Sequence, residues 1–460
     1  MTGCYDTGFP AAIPMAKAKF SYALDTLRSI AADVLARAKS GGASGCETEV
    51  SEGYGQTVTV RMGEVETIEY NRDKGIGVTV YAGKQKGYAS TSDFSPKAVA
   101  DTVDAALSIA RFTAADESAG LAEPELLAKE IGDLDLFHPW DISVERAIEM
   151  ARSAEAAAFR LDPRVTNSEG ATVSAQDSQF ISANSNGFMA GYPSSRHYVS
   201  VAVIAAQGDE MERDDWYSSA RSHRDLASPD AIGDYAGRRA LARLRSRKLT
   251  TRQAPVLFEA PMANGLLGHF VGAASGGNLY RKASFLVDSL GKPLFSPIVQ
   301  LREEPHLRRG LASGYFDDDG VATHPRDVVK DGVLQGYFLG VYSARKLGMK
   351  TTGNAGGNHN LILAPGTESL VGLLKRMGTG LLVTEVMGQG VNTVTGDYSR
   401  GAAGYWVEGG EIAYPVSEIT IAGNLRDMYR NIVAVGSDML VRGSRQCGSI
   451  LVDGMTIAGD

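Results

Sequence analysis

Glu47-Thr48-Glu49-Val50-Ser51 and the segments after it, Thr57 to Arg61, Val65 to Tyr70, Gly75 to Tyr81 and Gly87 to Thr91, alternate in character and are separated by Gly, Asn and Asp. Period-two runs with turn residues between them are the pattern of an antiparallel meander. On the N-terminal side, Ala23, Leu27, Ile30, Ala31, Val34, Leu35 and Ala38 recur at helical spacing between Phe20 and Ala38, and Gly41-Gly42 ends the pattern. Residues 1–17 read as a flexible lead-in. On the C-terminal side, Ser95-Pro96 predicts a helix to about Phe112, with Ser as cap and Pro at the first helical position.

The same order returns further along. Ser143 to Leu161 is an alanine-rich helical pattern stopped by Asp162-Pro163, strand-like segments follow between Val165 and Ala206, and a third helical pattern runs from Pro229 to Leu244. An N-terminal α+β region over 18–245 is expected, divisible into helix-plus-meander units at about 18–130 and 137–245; a true repeat is one explanation of the two. The basic connection Ser246 to Arg252 marks the boundary. Beyond it, over 250–460, Gly is abundant, helices are few, and strand-length runs such as Pro255 to Phe258, Leu381 to Met387, Gly404 to Val407 and Ile419 to Ala422 predict a barrel-like or sandwich-like β domain. The fold class is therefore α+β.

Composition narrows the function. The chain has 460 residues, 43% hydrophobic and 22% charged, enough for a substantial core. Lys plus Arg number 46 against 54 Asp plus Glu, a net charge of -8, so duplex binding by phosphate neutralisation is not expected. The run Arg238-Arg239, Arg243, Arg245, Arg247-Lys248 reads as a solvated helical face. Cys4, Cys46 and Cys447 form no close pair, which fits a reducing compartment. No segment reaches the ~18 to 20 apolar residues of a membrane span, and a cytoplasmic location is expected.

Several runs carry a family resemblance: Leu266-Leu267-Gly268-His269-Phe270-Val271-Gly272-Ala273, Gly276-Gly277-Asn278-Leu279-Tyr280-Arg281-Lys282, Tyr342-Ser343-Ala344-Arg345-Lys346-Leu347-Gly348, Met387-Gly388-Gln389-Gly390-Val391-Asn392, Thr395 to Gly404, and Pro415 to Asn424. From about Glu47 onward the sequence resembles the PmbA/TldE side of the TldD/PmbA family, known as modulators of DNA gyrase and classed as metalloproteases. TldD-type members of that family carry HExxxH, two histidine ligands and a glutamate base, and a cysteine near the C-terminus. On that pattern Gly268 and Ala273 occupy the histidine positions, His269 the glutamate position, and Cys447 lies near the cysteine. A catalytic zinc needs about three protein donors and an open position. Gly and Ala side chains donate nothing.

The residues themselves offer other chemistry. The seven histidines include no pair at helical ligand spacing; an unconventional site would have to combine His269, His359 and Cys447, or draw on Asp317-Asp318-Asp319, which with Gly320 reads more simply as a polar hairpin turn. Even intact, ligands five residues apart on an ideal helix lie about 140° apart, and Gly272 would permit the distortion needed to join them. Ser343-Ala344-Arg345-Lys346 matches SxxK, but Lys350-Thr351-Thr352-Gly353 follows too closely to act as a KTG element, and Arg345 and Lys346 are read as capping or solvating a short helix ended by Gly348. Gly388-Gln389-Gly390 lacks a Walker lysine and is read as a hairpin. Asn392, Asp397, Tyr398 and Arg400 are the preferred cleft side chains, with His269, His359 and Cys447 as further candidates.

The resemblance implies a TldD-type HExxxH partner in a heterodimer, zinc in that partner and none in this chain, and peptides or small unfolded proteins as substrates. In isolation a homodimer is possible. An independent metallopeptidase with an unorthodox site and a non-catalytic binding module acting on gyrase or another regulator are the alternatives.

Overall fold

The computed structural model describes residues 20–459; the expected lead-in and Cys4 lie outside them. The first half contains α1 (Leu24–Ser40), β1 (Gly45–Arg61), β2 (Glu64–Ala82), β3 (Gln85–Thr91), α2 (Pro96–Phe112), α3 (Val144–Phe159), β4 (Val165–Asn184), β5 (Met189–Ala190), β6 (Pro193–Gln207), β7 (Glu210–Ala220) and α4 (Pro229–Arg243). Ser95, Ser143 and Ser228 cap α2, α3 and α4 through their side chains. All seven strands lie in one sheet, ordered β3-β2-β1-β4-β6-β7 with β5 on β4. The pairing of β1 with β4 places both helix-plus-strand segments on that sheet.

Five expected strands become three. β1 and β2 run for 17 and 19 residues straight through Gly53, Gly55, Asn71 and Asp73, because pairing along both edges of β1 outweighs the turn preference of these residues. Gly55 has a spatial role instead: a Cβ there would come within 1.8 Å of Gln176 Oε1. Along β1 the even positions Cys46, Val50, Val58 and Val60 are buried beneath the helices. α1 and α2 cover one half of this face through Leu27, Val34 and Val103. The small residues Ala147, Ala151, Ala154 and Ala236 of α3 and α4, with Ile232, cover the other. Gly233 lets those two helices close together, since a Cβ would fall 1.9 Å from Ala154 O. The odd positions of β1, including Glu47 and Glu49, face the other way.

The second half contains β8 (Arg252–Phe258), α5 (Ala260–Ala273), α6 (Gly276–Tyr280), β9 (Leu301–Glu303), β10 (Arg326–Lys330), β11 (Val333–Leu334), α7 (Val341–Leu347), β12 (Leu361–Leu363), α8 (Leu370–Met377), β13 (Gly380–Met387), β14 (Asp397–Glu408), β15 (Glu411–Asn424), α9 (Leu425–Arg430), β16 (Ile432–Val435), β17 (Leu440–Arg442), β18 (Arg445–Cys447) and β19 (Ile450–Ala458). Strands β15-β14-β13-β8-β19 close into a five-stranded barrel through the β15–β19 pairing. β8 and β13 are parallel neighbours within it. A second sheet runs β11-β10-β9-β12-β18-β17. α5 is embedded in the shared core, where Phe270 meets Phe295, Phe338 and Tyr429 edge-on, and Tyr429 donates to Leu266 O at 2.9 Å.

The two halves are joined by side chains that the sequence reading placed in solvent. Arg239 of α4 is nearly buried, donating to Asp214 of β7 and to Glu259 at the start of α5. Arg243 bonds Glu212 and reaches Glu385 of β13. The solvated-face reading fails for these two because their alternating neighbours Ala236 and Ala240 bury that side of α4. Arg345 and Lys346 likewise reach across the molecule. Arg345 donates to Gly120 O and Leu121 O, Lys346 pairs with Asp116 at 2.9 Å, and Gly348 ends α7 in the left-handed region, at φ 65°.

Candidate functional site

The position that decides the chemistry is the helix α5. Pro261 stands in its first turn, and it runs unbroken through Gly268, His269 and Ala273 without the distortion that Gly272 would permit. Ala273 is fully buried in the core beside Leu267 and Phe270. Gly268 faces β18 instead: a Cβ at this position would lie 2.7 Å from Nη1 of Arg445. The two histidine positions of the metal motif therefore face different surroundings, one apolar and one filled by a guanidinium. Cys447 is completely buried, its thiol 3.7 Å from Ala260 O, and burial pushes it up to about 12. A protonated thiol, a glycine, an alanine and an arginine do not make a zinc site. Among the described residues, no three His, Cys, Asp or Glu side chains are grouped to hold a metal ion.

His269 turns its ring toward Tyr398, 5.9 Å between centroids and edge-on. Burial, with Arg400 and Arg445 nearby, holds the imidazole below its usual range, so it is neutral near pH 7. Tyr398 is buried and its phenol is pushed up to about 12 by that burial. Arg400 spans the edge of β13, donating to Met387 O and Val386 O. The structure thus brings His269, Tyr398, Arg400 and Arg445 into one neighbourhood. Asn392 and Asp397 build the β13–β14 connection: Asn392 Oδ1 accepts from Val394 N at 2.9 Å, and Asp397 accepts from Thr395 Oγ1 and Asn424 Nδ2, bonds that hold its carboxyl below the usual carboxylate range. His359 is engaged elsewhere, against Gly353 O and Ala312 O, with its backbone N–H on Glu303.

Alongside α5, a cavity of about 370 Å³ opens at the seam of the two halves, lined by β7, α4, α5, β13 and the β17–β18 hairpin. Arg442 and Arg445, paired in register on that hairpin, both line it. Arg442 lies 3.6 Å over the Tyr217 ring and 4.7 Å over Trp216. Sequence reading missed this pair, since its partners Trp216, Tyr217 and Asn264 are remote in the chain.

A second and larger cavity, about 850 Å³, lies against the sheet face opposite the helices. Glu47 and Glu49, two apart on β1 and therefore on one face, line it together with Asp318. Burial raises both glutamates, and Asp319 and Asp318 respectively add to the effect. Asp317 is 3% exposed and accepts from the N–H groups of Asp319, Val321 and Ala355. Burial and Asp319 nevertheless push its carboxyl up to about 7. Asp317-Asp318-Asp319-Gly320 does form a turn, closed by the Phe316–Ala322 bridge, but it is packed against the other half of the molecule. The i, i+2 spacing of Glu47 and Glu49 was the available signal for this acidic wall.

Known proteins resemble this chain in sequence and in fold. Residues 46–110 match the PmbA/TldA metallopeptidase domain 1, 137–244 the central domain and 251–459 the C-terminal domain. The Metalloprotease PmbA of Escherichia coli O157:H7 is 53% identical over 420 residues, covering 91% of this chain and 93% of that protein. A crystal structure named for a modulator of DNA gyrase from Bacteroides thetaiotaomicron superposes with a TM-score of 0.90 at 26% identity, covering 95% of this chain and 99% of the other. The crystal structure of TldE from Thermococcus kodakarensis shares the fold, with a TM-score of 0.82 at 19% identity over 94% of this chain and 100% of the other. With a PmbA protein matched at this identity over nearly its whole length, the chain belongs to the PmbA/TldD metalloprotease family.

Proposed function

We propose that this chain is the non-catalytic subunit of a cytoplasmic TldD/TldE-type peptidase assembly, working with a partner that carries HExxxH and the zinc, on peptides or small unfolded proteins. The observation that carries the reading is at α5. The first ligand position is a glycine whose side-chain space is taken by the Arg445 guanidinium, and the second is an alanine sealed in the core. A member of a metalloprotease family with this helix retains the scaffold, the clefts and the seam but no donors, so the hydrolytic step is assigned to the partner. This chain contributes cleft walls and assembly surface.

The test is turnover of an unfolded peptide by this chain alone, by an HExxxH chain of the same family alone, and by the two together. The expected result is no cleavage by this chain alone and cleavage by the pair that is lost when the partner's motif glutamate is replaced by glutamine. Chelator-sensitive cleavage by this chain in isolation would overturn the reading and favour an independent metallopeptidase.

A further inference from the structure

The seam cavity beside α5 holds an unbalanced set of charges. Of its carboxylates, Asp214 is paired with Arg239 and Arg243 and Asp215 with Arg213, while Glu385 lies in an ion pair with Arg243 although its Oε2 accepts no well-aligned hydrogen bond. Arg442 and Arg445 are left over. Nε and Nη1 of Arg442 are shut off from solvent and meet no hydrogen-bond acceptor among the described residues; its contacts are the faces of Tyr217 and Trp216. Among the described residues Arg445 donates through Nε alone, to Asn264 Oδ1 at 2.9 Å, and burial makes its cationic form less favourable than usual. Two guanidinium groups with unused donors, both on the wall of one cavity, are costly to keep charged unless an anion completes them.

We propose that Arg442 and Arg445 form a carboxylate-binding site, and that its occupant is a carboxylate carried by a peptide chain. The planar forks of two arginines match the two oxygens of a carboxylate. The stacking of Arg442 on Tyr217 fixes one fork in place, and the hydrogen bond from Arg445 to Asn264 fixes the other, so little order is lost on binding. Gly268 is part of the same construction, because a side chain there would displace Arg445. What replaces a metal ligand at this position is thus a cation for holding an anionic group. That the anion belongs to a peptide rests on the function proposed above; the arginine pair itself does not.

The experiment is calorimetric titration of the full chain with an N-acetylated alanine tetrapeptide in three forms: a free C-terminus, a C-terminal amide, and an amide with one internal glutamate. Charge-assisted bonds to a guanidinium make the free acid roughly tenfold or more tighter than the neutral amide. Arg442→Gln and Arg445→Gln should each abolish that preference while retaining the melting transition of the parent. If the glutamate-bearing amide binds like the free acid, the source of the carboxylate is a side chain; if it binds like the plain amide, the source is the chain terminus. Both outcomes support the site. Equal binding of free acid and both amides, preference unchanged in the two variants, or no binding of any form at millimolar concentration would each overturn it. Amidation alters the ligand alone, so the result stands even if a variant fails to fold. Binding is read on this chain without a partner, so failure here leaves the paired-turnover assay untouched, and failure of that assay leaves a carboxylate preference standing as an anion site.

Discussion

Arg239 and Arg442 line the same cavity and both lie over the Trp216 ring, yet their polar partners differ. Arg239 donates to two carboxylates on two different elements, Asp214 and Glu259, and also to Thr384 O. Among the described residues Arg442 touches ring faces and pairs with no carboxylate. The first arrangement closes a charge balance inside the protein and fastens α4 to the barrel; the second leaves a charge on the cavity wall without an acceptor for its buried N–H groups. A buried charge that is satisfied by its own chain is a fastener, and one that is not is a candidate for binding something else.

The largest effect should come from breaking the satisfied member. Arg239→Ala leaves Asp214 and Glu259 facing each other without a shared counter-charge, and removing one partner of a buried pair costs about 3–5 kcal/mol. Urea unfolding of the variant should show a loss of this size. A loss below about 1 kcal/mol would mean that the carboxylates relax into water and that Arg239 fastens nothing.

The acidic wall extends the comparison to the opposite sign. Asp317, pushed up to about 7 by burial and Asp319, holds its proton in the folded chain while an unfolded aspartate loses it near pH 4. A raised carboxylate contributes stability that is complete below about pH 4 and lost as pH rises toward 7, at about 1.4 kcal/mol per pH unit within that window. Stability measured at pH 5 should therefore exceed that at pH 7.5 by roughly 2–3 kcal/mol on account of this group. In Asp317→Asn the slope should shrink but persist, since Glu47, Glu49, Asp318 and Asp319 are shifted the same way. An unchanged slope would place the titration elsewhere.

Much of this was legible in the sequence, and the part that was not has a physical reason. Ser95-Pro96, Ser143 and Ser228-Pro229 announce helix starts because capping is a local hydrogen bond. The bare metal motif at Gly268 and Ala273 could be read for the same kind of reason, since the absence of a donor needs no tertiary context. The role of Arg239, however, depends on Asp214 and Glu259, and that of Arg345 on Gly120 and Leu121, more than two hundred residues away. Gly53 and Gly55 misled because a central strand paired on both sides tolerates residues that punctuate an isolated one. Long-range pairing is not a property of any local window.

Ala273→His sharpens the view of α5. An imidazole at this sealed position must displace Leu267 or Phe270 neighbours and enters an apolar core, an overpacking of about 1–3 kcal/mol. Thermal unfolding should show the loss. Restoring the whole pattern as Gly268→His, His269→Glu and Ala273→His should leave zinc well below one equivalent by elemental analysis, because Arg445 stays in place. Stoichiometric zinc in that triple variant would show that the helix can turn both ligands to one side.

The smallest expected change is the most discriminating. Arg442→Ala removes cation–π contacts worth about 0.5–2 kcal/mol, but it also removes buried N–H groups whose lack of an acceptor costs about 1–3 kcal/mol. The two terms oppose each other, so stability should change by less than about 1 kcal/mol in either direction, a few-fold less than for Arg239→Ala. Running the two variants side by side in urea compares two arginines on one cavity wall with different polar partners. If Arg442→Ala proves as damaging as Arg239→Ala, Arg442 is a fastener held by Trp216 and Tyr217, and an open charge balance at this seam is not a sign of binding. If it is nearly neutral, Arg442 is explained by what it meets in the cavity rather than by the fold it belongs to.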